Sequence, residues 1–145
     1  MENLQIREID QKDATDIQRI RSLISKEDTD FDYKTIINEH AGGLNKQASI
    51  VGEIDNKIVG YMISNVLYAG FGLEKSAWIV SMGVDPEFMG QGIGKQLAEK
   101  ILSIYKSQDI KYVFSSVMWD SIDLLSFFKT LGFERSEFIN LRKKL

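Results

Sequence analysis

The chain has no cysteine, one histidine and one proline among its 145 residues. The first absence excludes disulfides, a thiolate nucleophile and a cysteine metal site together, so no reaction can pass through a thiol of this protein. The single imidazole, His40, lies in a polar stretch before Ala41-Gly42-Gly43. Without partners at ligand spacing it makes a poor metal site, and a loop or helix-end histidine is expected; no metal is expected elsewhere. Long apolar runs are missing too. Charge interrupts every few residues, and the N-terminus lacks a basic segment followed by an apolar one, so neither a membrane span nor a secretion signal is expected. Basic residues are scattered apart from Arg142-Lys143-Lys144, and the net charge is −3, which disfavours a nucleic-acid surface and suits a cationic partner. A soluble, cytoplasmic protein is the expectation.

With hydrophobic residues at 43% and charged ones at 27%, the sequence can bury one core, and a single domain over residues 1–145 is expected. Leu4 to Ile9 largely alternates apolar and polar residues, as a half-buried strand does. From Asp13 to Ser25, Ile17, Ile20, Leu23 and Ile24 fall on one helical face with Asp13 as a cap. A short helix is expected from Tyr33 to Glu39, stopped by Gly42-Gly43. Ala48 to Ile54 and Lys57 to Leu67 read as two strands of an antiparallel hairpin turning at Asp55-Asn56. Ala69-Gly70-Phe71-Gly72 reads as a mobile loop anchored by Phe71.

Ser76 to Val84 is a mostly apolar run expected to be a strand buried on both faces, ending at Asp85-Pro86. A helix follows from Gly92 to Lys106, with Ile93, Leu97, Ile101, Leu102 and Tyr105 inward. Lys111 to Val117 reads as a strand, Ser121 to Leu131 as a helix and Phe138 to Leu141 as a last strand. A helical connection between the Ser76 and Lys111 strands implies a right-handed crossover and a parallel pair. The fold class is therefore mixed α/β (α+β), with a sheet that is otherwise antiparallel.

Between the buried strand and the long helix lies Pro86-Glu87-Phe88-Met89-Gly90-Gln91-Gly92-Ile93-Gly94-Lys95. Unpaired N–H groups and the positive end of a helix dipole converge at such a junction. Glycines at 90, 92 and 94 let an anion reach the backbone, and Lys95 adds a positive charge in the first turn, so a phosphate site is expected. A Walker A loop is excluded by Met89 and Gln96, which stand where it needs Gly and Ser or Thr. A dinucleotide fingerprint fits badly, because the glycines are spaced G-x-G-x-G and the strand comes too late in the chain.

The segment Val84 to Gly94 resembles motif A of the GNAT acetyltransferase superfamily, whose core is Arg or Gln, two residues, Gly, one residue, then Gly or Ala. Ile6-Arg7 with Asp13 and its helix, Ile58-Val59-Gly60-Tyr61, and Phe127 to Phe133 stand where members carry similar segments. The resemblance implies a mostly antiparallel sheet with helices on both faces and one parallel strand pair splayed apart for the pantetheine arm of acetyl-coenzyme A. It implies that backbone groups of Met82, Gly83 and Val84 pair with that arm. The N–H groups from Met89 through Gly90, Gln91, Gly92, Ile93 and Gly94 to Lys95 would bind the pyrophosphate. The implied activity is transfer of an acetyl group to a primary amine of a small molecule or protein; the alternative is a non-catalytic acyl-coenzyme A binding module. The oligomeric state stays open, a homodimer included.

The sequence departs from the family at Met89, where Arg or Gln is usual, which implies weaker coenzyme affinity. Phe128 stands where many members carry a tyrosine that protonates the leaving thiolate, and Ser121 replaces a frequent asparagine. Ser121 could contact the pantetheine arm or cap its helix. No carboxylate lies between Ser76 and Val84, which leaves Asp120 as the candidate general base, with a cap or solvated-loop role as its other reading. Tyr61, Tyr68 and Trp119 are candidates for an acceptor pocket or for packing.

Overall fold

Strand β3 organises the molecule because both of its faces are covered. In this computed structural model, which describes residues 3–25, 34–37, 49–68 and 74–145, β3 runs Lys57–Tyr68. Val59 and Met62 point into one apolar cluster, while Ile58, Tyr61 and Ile63 point into the other. Tyr61 and Ile63 share a face by period two, and Ile58 joins them because Val59 is the extra residue of a bulge, where the β2 register steps from Gly52↔Gly60 to Glu53↔Ile58.

The remaining elements are β1 (Gln5–Glu8), a 3-10 turn (Gln11–Asp13), α1 (Ala14–Ile24), β2 (Ile50–Ile54), β4 (Lys75–Val84), a second 3-10 turn (Pro86–Phe88), α2 (Ile93–Ser107), β5 (Val113–Ser115) and α3 (Ile122–Thr130). Residues 34–37 form one helical turn inside the expected Tyr33 to Glu39 helix. His40, Gly42-Gly43 and the loop Ala69 to Gly72 lie outside the described residues. The five strands lie in the order β1-β2-β3-β4-β5. Every neighbouring pair is antiparallel except β4 and β5, which are parallel. Asp55 and Asn56 both take positive φ, 51° and 64°, the conformation a two-residue hairpin requires.

On one face α2 buries Ile93, Leu97, Ala98, Ile101 and Tyr105, joined by Phe128 of α3. Tyr105 brings its hydroxyl 2.6 Å from that of Ser64 on β3, so the one polar atom of this buried ring is satisfied. On the other face α1 buries Ile17 and Ile20 against Val51, Ile58, Tyr61 and Ile63.

The structure corrects four expectations about the fold. Leu23 is 56% exposed, because at 100° per residue it lies about 60° past Ile20, outside the stripe. Asp13 sits at the N-cap position of α1, but its side chain makes no capping bond to that helix. It accepts instead from the Asp10 N–H at 2.8 Å and from both terminal nitrogens of Arg7 at 2.8 Å. β4 is not covered on both faces throughout, since Val80 is 51% exposed at an irregularity described below. Phe138 to Leu141 forms no strand. That segment reaches the β5 region through side chains, Phe138 edge-on to Phe114 of β5 at 5.9 Å and Asn140 donating to the hydroxyl of Ser116, just past the strand, at 3.0 Å.

Candidate functional site

Strands β4 and β5 pair only at Ala77↔Val113, Trp78↔Phe114 and Ile79↔Ser115. The Ser115 hydroxyl donates to the Ile79 carbonyl at 3.1 Å, the last link between them. Among the described residues, β4 then runs on to Val84 with no strand partner on that edge. Opposite, β3 pairs Ile63 with Ser81 and Ser64 with Ile79, so Val80 is the extra residue of a bulge. The bulge falls where β5 leaves, and it turns Val80 outward.

Which backbone groups face the gap follows from ladder alternation. The Asp85 N–H donates to the Val59 carbonyl at 2.8 Å. Counting back along an antiparallel ladder, Gly83 and Ser81 turn their N–H and C=O to β3, whereas Met82 and Val84 turn theirs to the open edge. Of the three residues expected to pair with a ligand arm, Gly83 is therefore committed to β3. It is glycine for another reason: a Cβ there would stand 2.8 Å from the Tyr61 ring and 2.9 Å from Ile24 of α1.

After β4, Asp85 caps the short turn by accepting from the Glu87 N–H at 3.0 Å. The Phe88 N–H returns to the Asp85 carbonyl and the Met89 N–H to that of Pro86. The next backbone donor engaged is Gln96, whose N–H reaches the Gly92 carbonyl at 3.0 Å. Among the described residues, the N–H groups from Gly90 to Lys95 have no backbone acceptor. Gly90 and Gly92 take φ of +82° and +78°, and a Cβ on either would meet nothing within 4 Å. Gly92 is the N-cap of α2 and offers no side chain to satisfy the helix end. Free N–H groups facing open space at a helix N-terminus are an arrangement that suits an anion. Gly94 differs from the other two, since its Cβ would lie in ordinary contact with Phe127 at 3.4 Å and Val84 at 3.6 Å instead of facing open space. Ile93 is buried and anchors the turn, while Met89, Gln91 and Lys95 are exposed, the Lys95 amine 4.0 Å from Glu99.

The other expected residues are less closely gathered. Asp120 is exposed in the turn after β5, and its carboxylate has no hydrogen bond or ion pair among the described residues. Ser121 begins α3 without a side-chain capping bond, which leaves its hydroxyl free among the described residues. Phe128 belongs to the core, in ring contact with Phe127 and Phe133 at 5.4 and 5.0 Å. Tyr61 is fully buried and accepts from the Ser81 hydroxyl at 3.3 Å, whereas Tyr68 and Trp119 are exposed.

Sequence reasoning missed the support beneath the loop. Asp85, 2% exposed, receives Arg19 Nη1 from α1 at 2.8 Å and has the Lys57 amine at 3.7 Å. Burial pushes this carboxyl up, but the Arg19 hydrogen bond, the Glu87 N–H and the charges of Arg19 and Lys57 outweigh it and hold it below its ordinary value. A depressed carboxylate stabilises the fold above its unfolded value near 3.8 and loses that contribution as pH falls through the folded value. Thermal melts from about pH 5 down to about pH 2 should therefore show a steeper acid loss for the wild type than for Asp85→Asn; parallel curves would contradict the assignment.

A mixed sheet opened beside the bare N-terminus of a helix, with a glycine turn leading into it, defines the class of α/β fold. The chain belongs to the Acetyltransferase (GNAT) family, whose profile matches residues 5–133. It is 41% identical over 59 residues to GCN5-related N-acetyltransferase 2, chloroplastic, of Arabidopsis thaliana, a stretch covering 41% of this chain and 22% of that protein. Among solved structures it resembles AAC(6')-Iy in complex with the bisubstrate analogue CoA-S-monomethyl-acetylneamine, with a TM-score of 0.81, 15% identity and 99% of each chain covered. It also resembles Chaetomium thermophilum Naa20 in complex with a bisubstrate analogue, with a TM-score of 0.74, 18% identity, and 88% of this chain and 69% of that one covered. At these identities the structural likeness establishes the fold.

Proposed function

We propose that the chain is an N-acetyltransferase that moves an acetyl group directly from acetyl-coenzyme A to a primary amine of a small molecule or protein. The observation that carries this reading is the run of unpaired N–H groups from Gly90 to Lys95 over open space. Those groups suit the pyrophosphate, and the backbone edge of Met82 and Val84 suits the amide groups of a pantetheine arm. When bound, the coenzyme supplies an acetyl group activated as a thioester. The chain's part is to orient it, to aim a backbone N–H of the open β4 edge at the developing oxyanion and to admit the amine beside it. Asp120 is the proposed base and Ser121 a contact to the arm. Phe128 cannot give a proton, so the thiolate leaves without help from that position; a thiol pKa of about 8.5 makes this tolerable.

Among the described residues no helix is long and apolar enough to cross a membrane, which fits the proposed cytoplasmic location. A second reading, a non-catalytic acyl-coenzyme A module, is favoured by the proton-less Phe128 and by a β4 without carboxylates. Calorimetric titration with acetyl-coenzyme A followed by a broad amine screen, including an aminoglycoside such as the AAC(6')-Iy analogue suggests, separates the readings. Binding with turnover supports the enzyme, and binding without turnover over the whole panel supports the module. Absence of binding sinks both.

A further inference from the structure

Every polar atom of Asp85 is committed. Its N–H donates to the Val59 carbonyl and its own carbonyl accepts from the Phe88 N–H, both at 2.8 Å. One carboxylate oxygen, Oδ1, caps the Glu87 N–H at 3.0 Å. The other, Oδ2, takes Arg19 Nη1 at 2.8 Å, while Arg19 Nη2 donates to the Ile58 carbonyl at 2.9 Å. Capping alone needs only Oδ1. Asp10 performs that task for the first 3-10 turn from an exposed position, accepting from the Lys12 N–H without an arginine. The buried second oxygen, tied to a residue 66 positions earlier, exceeds what a cap requires.

Location explains the excess. Asp85 stands between the open β4 edge and the glycine turn, so the direction in which the chain leaves it sets where the N–H groups from Gly90 to Lys95 point. Arg19 belongs to α1, which also lays Ile24 against Gly83. One helix thus braces both backbone segments on which a coenzyme would rest. We propose that Arg19 and Asp85 are a positioning pair for the coenzyme: neither touches it, and together they hold the loop at the angle at which its amides converge on one pyrophosphate. This inference rests on the loop being the coenzyme site. The carboxylate itself is kept from opposing an anion, because it is turned inward and faced by Arg19 and Lys57; Asp16 lies 3.5 Å from Arg19 and Glu87 3.8 Å from Lys57.

The pair must be told apart from a merely stabilising ion bridge, and the molecule contains a suitable control. Arg7 on β1 joins Asp13, in the turn before α1, and Glu53 on β2, at 2.8 and 2.7 Å, at the sheet edge opposite β4 and β5. Asp85→Asn keeps a cap for Glu87 and removes the charge; Arg19→Gln removes the partner; Arg19→Lys restores charge without the second hydrogen bond. Each variant, with Arg7→Gln beside them, is titrated calorimetrically with acetyl-coenzyme A well below its own melting temperature. Asp85→Asn and Arg19→Gln should bind about tenfold or more weakly, a change that one or two misdirected charge-assisted bonds can produce. Arg19→Lys should recover part of the loss, and Arg7→Gln should bind within about twofold of wild type at a comparable drop in melting temperature. Wild-type affinity in Asp85→Asn and Arg19→Gln would overturn the inference, as would losses that merely track melting temperature and match those of Arg7→Gln. A wild type that does not bind at all would remove the coenzyme reading and this inference with it, a result separable from the others.

Discussion

Replacing Gly92 by glutamate is expected to abolish acetyl-coenzyme A binding, by about a hundredfold or more, in a protein that still folds. Folding should survive because a Cβ at this position meets nothing within 4 Å. The cost is confined to placing an L-residue at a φ of +78°, on the order of 1–2 kcal/mol. Binding should not survive, because the new carboxylate would stand in the open space beside the loop with the same sign of charge as the pyrophosphate. Gly92→Ala separates the two effects, carrying the backbone strain without the charge, and should retain measurable affinity. Circular dichroism confirms the fold and calorimetry reads the binding. Undiminished affinity in folded Gly92→Glu would mean that the coenzyme does not rest on this loop.

The second large effect is on stability. Gly83→Val should lower it by about 2–4 kcal/mol, or roughly 10 °C in melting temperature, because the position has no room. Its Cβ would stand 2.8 Å and 3.2 Å from atoms of the Tyr61 ring and 2.9 Å from Ile24. Ile24 can swing its terminal methyl aside, but Tyr61 is fully buried, directly opposite on β3 and bonded to Ser81. The substitution must therefore push α1 from the sheet or bend β4. A melting temperature within about 2 °C of wild type would show the contact to be softer than these distances imply.

Much of this architecture could be read from local chemistry. Asp55-Asn56 specified its hairpin because both residues tolerate positive φ, and α2 announced itself through the spacing of Ile93, Leu97, Ile101 and Tyr105. The glycine turn into α2 was legible because small residues and uncommitted N–H groups at a helix start are local features. What escaped was non-local or a matter of phase. Arg19 and Asp85 are separated along the chain by the three strands β2, β3 and β4, and nothing near either residue signals the other. Val80 continues the apolar run Ala77-Trp78-Ile79, so its composition could not reveal a bulge. Gly94 shows nothing in its own surroundings of its neighbour in space, Phe127, which lies in a helix far along the chain. Phe138 to Leu141 has strand-like residues, but side-chain contacts to β5 do not make a ladder.

The two sides of the gap are held with unequal firmness. On one side β4 shares a long ladder with β3, from Gly60↔Val84 to Tyr68↔Lys75. On the other, β5 contributes three residues to the sheet, and the chain beyond it is secured chiefly by the aromatic packing of Phe127, Phe128 and Phe133. Amide hydrogens of β5 and α3 should therefore exchange through openings less costly than global unfolding, while those in the middle of β3 wait for it. A ligand spanning the gap would borrow the rigidity of the first side to quiet the second, and its binding would be felt most in the slowing of exchange far from any phosphate.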